Sequence, residues 1–69
     1  MGMNTSSNVK QLVVLRNGNS LKMIHGSFGY SLNIYDPHRR SEIEVYYHNE
    51  YDDVDKMFNK IVDLFGKQK

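Results

Sequence analysis

Leu12-Val13-Val14-Leu15-Arg16-Asn17-Gly18-Asn19-Ser20-Leu21-Lys22-Met23 places an Asn-Gly step between two apolar runs. A two-residue hairpin turn favours that dipeptide because both central residues take positive φ. Asn17-Gly18 at the tip pairs Val14 with Leu21 and Leu12 with Met23. Two further turn signals extend the ladder. His25-Gly26-Ser27-Phe28 offers glycine at the first central position of a type II′ turn, pairing His25 with Phe28, Met23 with Tyr30 and Leu21 with Leu32. Asp36-Pro37-His38-Arg39-Arg40-Ser41 supplies proline to open a four-residue loop, pairing Ile34 with Ile43 and Leu32 with Val45.

Side chains alternate between the two faces of a strand. The three registers therefore gather Leu12, Val14, Leu21, Met23, Phe28, Tyr30, Leu32, Ile34, Ile43, Val45 and Tyr47 on one face, with His25 near its edge. A slip of one residue would exchange a strand's faces. Val54, Met57, Phe58, Ile61, Leu64 and Phe65 recur at the spacing of an amphipathic helix and supply a cover for that face. Asn49 or Asp52 can cap the helix start, and Asp52, Asp53 and Asp55 suit its positive end. Gly66 suits the position after its last turn, followed by Lys67 and Lys69. The predicted fold is α+β: a four-stranded antiparallel β-meander near 9–16, 20–25, 28–36 and 42–48, with one C-terminal α-helix near 50–65 packed across one face, β-β-β-β-α.

Sixty-nine residues suffice for one small domain and one small core. That domain is assigned to 9–66, with a polar tail at 1–8 expected to be disordered and a short basic tail at 67–69. Met1-Gly2-Met3-Asn4-Thr5-Ser6 matches the N-myristoylation pattern, but so short a pattern recurs by chance, and the segment is read as polar tail. Cysteine is absent, which removes disulfides, thiolate nucleophiles and Cys-ligated zinc and places the chain in a reducing cytoplasm. No apolar run approaches the ~18 residues that span a bilayer, so no membrane association is expected.

Charge is polarised along the chain. Residues 1–35 carry Lys10, Arg16 and Lys22 and no acid, whereas Glu42, Glu44, Glu50, Asp52, Asp53 and Asp55 fall in a stretch without Lys or Arg. With Tyr46 and Tyr51 interleaved, this stretch reads as an acidic surface for a protein partner bearing a basic patch. The sheet face opposite the helix carries Val13, Leu15, Ile24, Tyr35 and Tyr46, an apolar set that predicts an interface, with a homodimer as the economical solution. Arg16, Lys22, Arg39 and Arg40 offer an alternative nucleic-acid surface. Glu42 and Glu44 share its face and would repel phosphate, which makes it the weaker reading.

No catalytic signature is present. His25, His38 and His48 lie far apart in sequence, no pair has metal-ligand spacing, and no glycine-rich phosphate loop precedes the helix. No metal or cofactor is expected. The functional expectation is a small non-enzymatic protein-binding module acting as an inhibitor or regulator. The alternatives are a nucleic-acid-binding module and a structural homo-oligomer.

Overall fold

A computed structural model describes residues 8–68. Residues 1–7 of the polar tail, with Gly2 and Ser6, and Lys69 lie outside the described residues. The chain forms β1 (Val9–Val14), β2 (Ser20–His25), β3 (Tyr30–Asp36), β4 (Ser41–His48) and α1 (Tyr51–Phe65). The strands make one antiparallel sheet in the order β1-β2-β3-β4, with α1 packed on one face.

The first hairpin departs from the expected register. Gly18 takes φ 94° while Asn17 stays out of the positive-φ region, so the two-residue turn is not formed. Instead the Leu15 N–H donates to the Asn19 carbonyl (2.7 Å) and the Gly18 N–H to the Leu15 carbonyl (2.9 Å). Asn17 Oδ1 accepts from the Asn19 N–H at 2.9 Å. This is a three-residue loop with glycine at its left-handed position. It pairs Val14 with Ser20 and Val13 with Leu21, one residue away from the two-residue register. The slip reverses β1: Leu15 is buried and Val13 packs on the core, while Leu12 and Val14, expected inside, are exposed.

The second hairpin closes with the Gly26 N–H donating to the Gly29 carbonyl at 2.7 Å, so Ser27 and Phe28 form its tip. His25 pairs with Tyr30 and Met23 with Leu32, two residues from the expected register. An even shift preserves the faces, so Leu21, Met23 and Leu32 are buried as expected. Phe28 is the exception, standing at the tip 86% exposed.

The third loop follows the sequence reading. Asp36 pairs with Ser41 and Ile34 with Ile43, and Asp36 Oδ1 accepts from the N–H groups of His38 (2.9 Å) and Arg39 (3.3 Å). Beyond it β4 carries a bulge. Glu44 pairs with Asn33 and Tyr46 with Leu32, leaving Val45 as the extra residue. Tyr46 thereby turns onto the core, and Val45 and Tyr47, expected inside, are exposed.

Val54 and Phe58 anchor α1 on Leu15, Leu21, Met23 and Leu32, with Tyr30, Ile34, Met57, Ile61 and Val62 packed around them. Each fully buried side chain of this kind contributes about 1.5–3 kcal/mol of hydrophobic stabilisation. Glu50 occupies the N-cap without a side-chain bond, in place of Asn49 or Asp52. At the other end Gly66 has φ 80° and its N–H returns to the Val62 carbonyl at 2.7 Å. Leu64 and Phe65, expected in the core, are exposed. Lys67 and Gln68, read as tail, extend the sheet instead. Lys67 bridges Leu15, the Gln68 N–H donates to the Val14 carbonyl, and the Arg16 N–H donates to the Gly66 carbonyl.

Candidate functional site

The sheet face opposite α1 holds a polar cluster built by strand alternation. Lys22, Asn33 and Glu42 come from three successive strands and point away from Leu21, Leu32 and Ile43. Lys22 Nζ lies 3.1 Å from Glu42 Oε1, and Asn33 Nδ2 donates to Glu42 Oε2 at 2.8 Å. Asn33 Oδ1 is buried without a hydrogen-bond partner. The hydrogen bond from Asn33 and then that from Lys22 hold the Glu42 carboxyl below the usual carboxylate range, against a smaller opposing effect of burial.

This shift has a testable sign. A carboxyl with a depressed folded-state pKa stabilises the fold above its ordinary value, and the contribution is lost as pH falls through the folded value. The difference in melting temperature between wild type and Glu42→Gln is therefore expected to shrink between about pH 7 and about pH 3. A difference that stays constant across that range would show that the cluster does not hold in solution.

Around the cluster, Val9, Leu12, Ser20 and Tyr35 join Lys22 and Glu42 in lining a shallow depression of about 430 Å³. Val14, Ile24 and Tyr47 flank it by register. Of the apolar set expected on this face, Ile24 and Tyr35 are present. Val13, Leu15 and Tyr46 instead pack on the helix side, because of the one-residue slip at Asn17-Gly18 and the bulge at Val45. Leu12, Val14 and Tyr47 replace them. They could not be picked out from the sequence, because Leu12-Val13-Val14-Leu15 and Val45-Tyr46-Tyr47 are apolar or aromatic at both parities.

The acidic stretch divides between two places. Glu42 and Glu44 lie on the open face, whereas Glu50, Tyr51, Asp52, Asp53 and Asp55 gather at the start of α1. Asp53 Oδ2 lies 3.3 Å from His48 Nδ1, which accepts the Glu50 N–H at 3.0 Å, and Asp55 Oδ1 accepts from Gln11 Nε2 at 2.6 Å. Gln11 also reaches the Tyr51 hydroxyl at 3.3 Å, a bridge from β1 to α1 that exists only because β1 is reversed. Tyr51 itself meets Tyr30 edge-on, with ring centroids 5.3 Å apart.

The basic residues are likewise separated. Lys22 is engaged by Glu42, while Arg39 Nε lies 3.9 Å from Asp36 Oδ2. The loops carrying Arg16 and Arg39-Arg40 lie at one end of the sheet, since both follow strands running in the same direction. Among the described residues, no three His, Asp or Glu side chains converge as a metal site requires, and no helix is long and apolar enough to cross a membrane. No protein-family model, curated protein or solved structure matches the chain.

Proposed function

We propose that the protein is a non-enzymatic protein-binding module, an inhibitor or regulator, that docks its partner on the open sheet face. The observation that carries this reading is that exposed Leu12 and Val14 of β1 and Tyr47 of β4 share one face with the Lys22-Glu42 pair. Apolar side chains beside an internally paired Lys22 and Glu42 suit a docking surface, since the partner gains buried area without stranding either charge. Among the described residues Glu44 pairs with no cation, and its position on the same face favours a partner with a basic rim. The acids at the start of α1 extend this preference to a second side of the molecule. The setting we propose is the cytoplasm, on the ground that the chain has no cysteine.

Nucleic-acid binding is the second reading, favoured by the shared end of the sheet that holds Arg16, Arg39 and Arg40. It loses one expected contributor, because Lys22 is ion-paired.

Photo-crosslinking from a native lysate separates the two. A benzophenone side chain replacing Tyr47 is expected to yield a nuclease-resistant protein adduct, while one replacing Lys56, on the outer side of α1, yields none. Leu12→Asp should abolish the adduct, and Glu44→Lys should weaken it. An adduct removed by nuclease and lost in Arg39→Glu/Arg40→Glu would replace this reading with the second. Equal adducts from both positions, or none, would sink the docking surface.

A further inference from the structure

The helix side of the sheet is only partly covered. α1 starts beside the end of β4, where Asp53 meets His48, and finishes beside β1, where Gly66 and Lys67 join Arg16 and Leu15. It therefore leans away from the start of β4, and Ile43, on the same face as the buried Leu32, is 60% exposed. A helix about 10 Å across cannot cover four strands spaced ~4.8 Å apart along their whole length.

The adjoining flank of α1 is apolar. Asp55 bonds to Gln11, and Phe58, Asn59 and Val62 share a crevice with Gln11, Leu12 and Val13, which fixes the β1-facing side of the helix. At about 100° per residue, Met57, Ile61 and Leu64 fall on the opposite flank, toward β4. Leu64 is 74% exposed and Phe65 half exposed. Ile43 and this stripe thus leave an apolar edge between β4 and α1 that the described residues do not close.

The ends of that edge carry opposite charge. The loop with Arg39 and Arg40 stands next to Ile43 at one end, and Arg39 projects into solvent. Glu50 and Asp53 stand at the other end, where β4 passes into α1. A surface with an apolar middle, a basic end and an acidic end is complementary to itself when turned end for end. We propose that the β4 edge and the Met57-Ile61-Leu64 flank of α1 form a homodimer interface, closed by a second copy about a two-fold axis that sets the two α1 helices antiparallel. The axis passes near Ile61, bringing Met57 of one copy to Leu64 of the other and each arginine loop to the other copy's acidic helix start. Lys60 lies at the rim of the stripe, where its amine stays in water. This interface is separate from the open sheet face and stands or falls independently of it.

Sedimentation velocity on the full chain from about 5 µM to about 500 µM spans the range expected of a small interface. Wild type is expected to pass from monomer to dimer. Leu64→Asp should raise the dissociation constant about tenfold or more, while Leu12→Asp on the opposite face leaves it unchanged. Arg39→Glu/Arg40→Glu and Glu50→Lys/Asp53→Lys should each weaken self-association, and an equimolar mixture of the two variants should associate again. All these side chains are surface groups, and far-ultraviolet circular dichroism confirms that each variant is folded before it is scored. Monomeric wild type at the highest concentration would overturn the proposal. So would dissociation by Leu12→Asp but not Leu64→Asp, or a mixture of charge variants that stays monomeric.

Discussion

Leu15→Ala is expected to cost about 2–5 kcal/mol, whereas Leu12→Ala is expected to cost well under about 1 kcal/mol. The two substitutions delete the same atoms from one apolar run and differ only in what surrounds them. Leu15 is 1% exposed and packs with Leu21, Met23, Leu32, Val54 and Phe58, so truncation opens a cavity in the only core the described chain has. Leu12 is 62% exposed and loses little contact. A domain of 69 residues has roughly 3–10 kcal/mol of total stability. Leu15→Ala therefore uses up a large part of the margin and brings the protein near unfolding at room temperature. Urea titrations check this, with unchanged m-values required so that the midpoint shift reports stability. The two-residue Asn17-Gly18 turn implies the opposite order, so a larger loss at Leu12 would restore that register.

The contrast also marks where the sequence was informative. Asp36-Pro37 was legible because its loop has one economical closure: proline sets φ at the first turn position, and the Asp36 carboxylate collects the next two amide protons. Gly26 misplaced the second tip, yet the error was an even number of residues and left every buried strand residue on its own face. Asn17-Gly18 was different. The dipeptide is compatible with a two-residue turn and with a three-residue loop in which Gly18 alone is left-handed, and these differ by one residue. Only the flanking pattern could have decided between them, and the four consecutive apolar residues Leu12-Val13-Val14-Leu15 carry no alternation to read. The bulge at Val45 was hidden for the same reason, with three good strand formers in a row and no glycine to announce it. At the candidate site, alternation placed Lys22, Asn33 and Glu42 on the open face. Their convergence on one carboxylate depends on the twist and stagger of three strands, which residue types do not encode.

Gly29→Ala is expected to destabilise the protein by about 1–3 kcal/mol, with Gly26→Ala close to neutral. The sequence reading gave the special role to Gly26, as the residue a type II′ turn would need, but the packing gives it to Gly29. An ideal Cβ on Gly29 would lie 2.7 Å from Asn49 Cα and 2.7 Å from the His48 carbonyl oxygen. Both are backbone atoms, and neither can swing aside as a side-chain tip could. At Gly26 the nearest atom to such a Cβ is the Gly29 carbonyl oxygen at 3.8 Å, an ordinary contact. Gly29 does not adopt positive φ, so its requirement is for space and not for backbone conformation. The atoms in the way belong to the link between β4 and α1, and relieving the clash means moving the segment that delivers the helix to the sheet. The loss should therefore extend beyond the hairpin. In Gly29→Ala, amide exchange is expected to accelerate in the first turn of α1 as well as in β3 and β4, while Gly26→Ala leaves the helix protected. Equal stability of the two variants, or faster exchange confined to the hairpin tip, would mean that this loop does not bear on Asn49.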